Sequence, residues 1–157
     1  MPVTSYALAL GSNRRGLHGG PAQSVRAALA AIGGVVAVSA VIETVPVGPS
    51  QRRFANMAAI VETNEAPDAL LARLKAIERG LGRRRGQRWG ARVIDIDIIL
   101  WSGGAWASPD LTIPHPAFRL RGFVLRPLAQ IAPRWRDPVS GRTIRQLVAI
   151  DRAARTA

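Results

Sequence analysis

The hydrophobic period of the chain alternates between that of a strand and that of a helix in a fixed order up to Trp101, and this order restricts the fold more than any single motif. Tyr6 to Leu10 reads as a short strand closed by Gly11-Ser12-Asn13, followed by a glycine-rich loop from Gly16 to Gly20. From Pro21 the period is helical, with Val25, Ala28, Leu29 and Ile32 on one face and Gly33-Gly34 as the stop. Val35 to Thr44 reads as a β-branched strand, broken by residues 46–50, and a second strand runs from about Phe54 to Thr63 as its antiparallel neighbour. After Pro67-Asp68 a second amphipathic helix carries Leu70, Leu71, Leu74, Ile77 and Leu81, and Val93 to Trp101 is the next strand. The order β-α-β-β-α-β predicts an α+β, ferredoxin-like core: a four-stranded, mainly antiparallel sheet with two helices on one face. A doubly wound α/β sheet competes, but the short connection within the central strand pair opposes it. Pro109, Pro114, Pro116, Pro127, Pro133 and Pro138 predict a proline-rich C-terminal extension of loops, short helices and a small hairpin on the other face.

At 157 residues and 48% hydrophobic composition, residues 1–157 read as one domain with a sizeable core. Without cysteine there is no disulfide, thiolate metal site or cysteine nucleophile, and only His18 and His115 carry imidazole. Apolar runs are far shorter than the roughly 20 residues of a membrane span, and residues 1–13 lack a basic signal region. A soluble, cytoplasmic protein with no membrane association is expected. The formal net charge is +12, and 21 of the 22 basic residues are arginine. Such a chain is drawn to polyanions, so nucleic acid and a phosphorylated small molecule both stand as partners on composition alone.

Charge of both signs converges in one stretch. Arg83, Arg84, Arg85, Arg88 and Arg92 fall within ten residues and lead directly to Asp95 and Asp97. On a strand, Val93, Asp95 and Asp97 leave one face and Ile94, Ile96 and Ile98 the other, with the two aspartate Cα atoms about 6.5–7 Å apart. Two carboxylates side by side repel. They call for Mg²⁺ or another hard cation, or for the flanking arginines on a solvated strand face. The glycines from 16 to 20 do not follow the pattern of a phosphate-binding P-loop.

The stretch from Arg88 to Ile99 resembles the signature of the 6-hydroxymethyl-7,8-dihydropterin pyrophosphokinase family. So do Leu10-Gly11-Ser12-Asn13, residues 44–49 and 51–56, Glu78 with residues 82–85, Pro114-His115-Pro116, residues 121–128 and Ile131-Ala132-Pro133, so that the likeness covers nearly the whole chain. It implies transfer of diphosphate from ATP to the pterin alcohol in tetrahydrofolate biosynthesis, with AMP as the second product. By that resemblance Asp95 and Asp97 hold two Mg²⁺ ions, and Arg83 and Arg92 act with them in catalysis. Thr44, Pro46, Phe54, Asn56, Trp89 and Phe123 fall to the pterin, with the two phenylalanines stacking on its ring and the amide reading its polar edge. Lys75, Glu78, Arg85, Arg88, Ile98, Thr112, His115 and Arg121 fall to ATP.

The chain departs from the family pattern at Lys75, Asp110 and Pro116, and its arginine loop is about one residue shorter than in familiar bacterial members. The implied partners are the two small molecules alone, with no specific nucleic acid, and the implied state is a monomer. The rival reading is a small basic RNA- or DNA-binding domain whose sheet aromatics stack on bases. An acidic pair on that face would repel a phosphate backbone.

Overall fold

A computed structural model of the chain describes residues 2–44, 54–82 and 93–156. Its elements follow the predicted alternation. Strand β1 (Thr4–Ser12) leads to helix α1 (Pro21–Ile32), then to β2 (Val35–Val38), β3 (Ile42–Thr44) and β4 (Phe54–Thr63). Helix α2 (Pro67–Gly80) and β5 (Asp95–Trp101) follow, then the hairpin β6 (Trp106–Ser108) and β7 (Leu111–Ile113). A 3-10 turn (Phe118–Leu120), α3 (Gly122–Ile131) and α4 (Ile144–Thr156) complete the chain. The main sheet runs β2-β4-β1-β5, with β3 also on β4, and every pairing is antiparallel.

Local chemistry explains the boundaries. Both α1 and α2 open on proline, whose missing N–H costs nothing in a first turn, and α1 ends at Gly33, whose φ of 68° suits a residue without Cβ. The segment read as one strand from Val35 to Thr44 is two. At the break, Ser39 donates its N–H to Ala58 O at 2.9 Å while its Oγ accepts the Ala58 N–H at 2.8 Å, so a side chain takes a rung of the ladder.

Two cores flank the sheet. On one face Leu8, Leu10 and Met57 pack with Val25 of α1 and Leu70 and Leu74 of α2. On the other, Ala7, Ile60 and Leu100 pack with Phe118, Leu125 and Leu147. The expectation of helices on one face holds for α1 and α2. On the opposite face, where the C-terminal third is expected as loops with short helices, stand two helices, α3 and α4, of 10 and 13 residues, and the hairpin expected there lies instead on the α2 side. The alternation along β5 also changes at Ile99: Leu8 pairs with Ile98 and Ala7 with Leu100, leaving Ile99 as an extra residue. This bulge lets one strand send Ile98 to the first core and both Ile99 and Leu100 to the second.

The hairpin docks on α2 through Asp68, whose Oδ1 accepts from Ser108 Oγ at 2.7 Å and Trp106 Nε1 at 3.3 Å. Trp106 lies edge-on to Trp101, which stacks on Tyr6. Together these contacts set β7 beside β5. Among the described residues no helix is long and apolar enough to cross a membrane.

Candidate active site

Register across three strands assembles the site. Asn56 of β4 stands opposite Gly11 of β1, which stands opposite Asp95 of β5, and the next row is Ala58, Ala9 and Asp97. Residues directly opposite share a face, and so do residues two apart. Phe54, Asn56, Asp95 and Asp97 therefore face the same way. Ala9 and Gly11 leave the floor between them open, and a Cβ on Gly11 would come within 3.0 Å of Asn56 Oδ1.

The start of α3 forms the roof. Arg121 precedes the helix, Phe123 lies in its first turn, and their guanidinium and ring are 5.8 Å apart. Below them is a cavity of about 410 Å³ whose walls include Gly11, Asn56, Asp95, Asp97, Arg121 and Phe123. Phe54 is 42% exposed and Phe123 52%, which is unusual for large aromatic residues with only a core role. A second cavity, about 340 Å³, lies on the outer side of β5, between α2 and β7. Lys75, Asp97, Ile98, Asp110, Thr112 and His115 are among its walls. Asp97 belongs to both cavities.

Electrostatics centre on this shared carboxylate. Burial first, and then the neighbouring Asp95, push the Asp97 carboxyl above its usual range, against the pull of His115, Arg121 and Lys75. The His115 ring is held in orientation because Nδ1 accepts the Ala117 N–H at 3.1 Å, which leaves Nε2 toward Asp97 Oδ2 at 4.0 Å. Burial first, with Arg121 adding to it, holds the His115 pKa below its usual value against the pull of the two aspartates. Among the described residues no group of three or more His, Cys, Asp or Glu is gathered so as to hold a metal ion. The two aspartates offer a pair of carboxylates on one strand face, a donor set that fits a hard cation completing its shell from water and phosphate oxygens.

The structure brings together Asn56, Asp95, Asp97, Arg121 and Phe123 in the first cavity and Lys75, Ile98, Thr112 and His115 in the second. Glu78 supports β5: it is 1% exposed, and its Oε2 accepts the Ile96 N–H, between the two aspartates, at 2.8 Å. Pro46, Arg83, Arg85, Arg88, Trp89 and Arg92 lie outside the described residues, and Thr44 is placed by its backbone opposite Phe54. Ala9, which lines the first cavity, and Leu71, which lines the second, did not stand out in the sequence. The smallness of Ala9 acquires meaning only from its register with Asp97.

The two cavities thus meet at one carboxylate, that of Asp97. The chain belongs to the 7,8-dihydro-6-hydroxymethylpterin-pyrophosphokinase (HPPK) family, whose pattern matches residues 7–133. It is 42% identical over 148 residues to the 2-amino-4-hydroxy-6-hydroxymethyldihydropteridine pyrophosphokinase of Pseudomonas aeruginosa, covering 90% of this chain and 88% of that one. It is 45% identical over 101 residues to the enzyme of that name from Synechocystis sp., covering 64% of this chain and 52% of the relative, so about half of that relative's length is spanned. In structure the chain is similar to an HPPK-DHPS crystallised in complex with substrates, with a TM-score of 0.71 at 16% identity over 95% of this chain and 43% of that one. A Plasmodium falciparum HPPK-DHPS with pteroate gives 0.72 at 16% identity, over 95% and 44%. At such identity these two establish the fold.

Proposed function

We propose that the protein transfers the diphosphate of ATP to 6-hydroxymethyl-7,8-dihydropterin. The pterin hydroxyl oxygen forms a bond to the β-phosphorus and the bond from that phosphorus to the α–β bridging oxygen breaks. AMP leaves, and the hydroxyl proton passes to solvent. The observation that carries this reading is the position of Asp97 in the wall of both cavities. A flat heterocycle in the first and a nucleotide in the second would meet there.

In the first cavity, Phe123 offers an aromatic face and Asn56 a donor and an acceptor to a pyrimidinone edge, while Phe54, exposed two residues along β4 on the same sheet face but outside the cavity wall, is the second ring of the proposed stack. In the second, the apolar walls of Leu71, Ile98 and Leu111 suit a base, and Thr112, Lys75 and His115 suit the polar remainder. Arg121 faces the junction, where charge accumulates during transfer. Asp95 and Asp97 would hold two Mg²⁺ ions, which when bound neutralise the phosphate oxygens and align the reacting groups. Arg83, Arg92 and Trp89 complete the proposed set through the motif resemblance.

The test is direct. With ATP, Mg²⁺ and the pterin alcohol, the protein should release AMP and the pterin diphosphate ester in equal amounts. Release of ADP, or of AMP without the ester, would overturn the reading.

A further inference from the structure

The glycine-rich turn between β1 and α1 has no part in the reaction described above. Its geometry nevertheless reaches the acidic pair. Gly16 donates its N–H to Gly19 O at 2.9 Å and accepts from the Gly19 N–H at 3.2 Å, which closes the turn on itself. A Cβ on Gly16 would lie 2.4 Å from Val93 Cγ1. Gly16 is outside the positive-φ glycines, so its backbone suits any residue and only the neighbour forbids a side chain. The other branch of Val93 faces Gly82, where a Cβ would stand 3.7 Å from Cγ2. Val93, 5% exposed, is thus seated between two glycines.

The consequence concerns Asp95. The last rung of the β1–β5 ladder is Gly11 opposite Asp95, and Val93 lies two residues beyond it. Strand ends fray when backbone pairing alone holds them. Here the seat of Val93 secures the far side of Asp95, and both the rung at Gly11 and the seat at Gly16 belong to one six-residue stretch. A valine side chain has few χ1 alternatives, so it cannot swing away from an added methyl group.

We propose that Gly16 is a positioning residue: by leaving room for Val93 it fixes the start of β5 and the direction in which Asp95 presents its carboxylate. Its kinetic effect rests on the transfer reaction proposed above, whereas its effect on the strand does not.

The experiment compares Gly16→Ala, Val93→Ala and the double variant with the wild type. In Gly16→Ala, the amides of residues 94–97 should exchange hydrogen faster without metal while those of β1 and β4 in the core keep their protection. Turnover should fall roughly ten- to a hundredfold, the cost typical of a misplaced catalytic group, and half-maximal rate should require more Mg²⁺. In the double variant, the vacated methyl positions of Val93 should accommodate the new Cβ and restore both exchange and turnover toward wild type. Three results would overturn the proposal: unchanged exchange at residues 94–97, loss of protection spread evenly through the core, or no recovery in the double variant. If the wild type itself transfers no diphosphate, the reaction assignment fails separately, and the exchange measurement still decides the role of Gly16.

Discussion

Asp97 and Phe123 show how differently one site treats charge and apolar surface. Asp97 is held near a like charge and partly out of water, so the folded protein gains nothing from its ionised form without a cation. Asp97→Ala should therefore abolish diphosphate transfer while leaving the melting temperature unchanged or higher, and Asp95→Ala should abolish transfer as well. Calorimetry and turnover on the same preparation check this, and an active variant would remove the pair from the chemistry. Phe123 and Phe54 expose their rings, so truncation should leave the fold intact. Phe123→Ala or Phe54→Ala should weaken pterin binding by about 1–3 kcal/mol each, with MgATP affinity little changed. Titration of each variant with both ligands decides it, since equal losses would mark a packing role. At this scale the sequence was informative where a side chain carries its own chemistry. The alternation of Asp95 and Asp97 with isoleucines is visible in the chain, whereas the value of Ala9 and Gly11 lies in what they leave empty.

Elements were legible where period and punctuation agree, as in α1 and α2 with their opening prolines. The split between β2 and β3 was hidden because Ser39 replaces a backbone rung with its hydroxyl, an event without a periodic signature. Helix α3 was hidden by Pro127 within it. Helix α4 did carry a signal: Thr143 and Gln146 exchange side-chain bonds with each other's N–H, and that T-x-x-Q spacing is a capping box.

The link between the 3-10 turn and the segment before α4 is Arg119, whose Nε and Nη2 donate to Asp137 at 2.5 and 2.8 Å. Ser140 Oγ and the Val139 N–H donate to the same carboxylate, which is fully buried. Arg119 and then these hydrogen bonds hold the Asp137 pKa far below its ordinary value. A carboxyl so lowered stabilises the fold above its unfolded pKa of about 3.9, and that contribution disappears as pH falls below it. The wild type should therefore lose stability between about pH 4 and pH 2, and Asp137→Asn should be less stable at pH 7 with a flatter profile below pH 4. Denaturant melts across that range test both. Because Arg121 and Phe123 follow Arg119 so closely, the clamp also bears on the roof of the site.

Taken whole, the molecule is a sheet between two helical layers, with one chamber beneath α3 and another along an edge strand. Ligands in the two chambers would meet at Asp97, so their affinities should be coupled. A non-hydrolysable MgATP analogue should raise pterin affinity, and the pterin should raise nucleotide affinity by the same factor. Calorimetric titration in both orders measures the two factors, and unequal or absent coupling would separate the chambers. The edge itself has another consequence. An outer strand offers unpaired backbone groups on which a second chain can add a strand, the first step of uncontrolled growth. On β5 the Ile96 N–H is taken by Glu78 and the Ile99 carbonyl by the His115 N–H. Glu78→Ala should therefore promote concentration-dependent association, visible as rising light scattering where the wild type stays dispersed. The supports that hold β5 beside the second cavity also keep the sheet from lengthening into a neighbour.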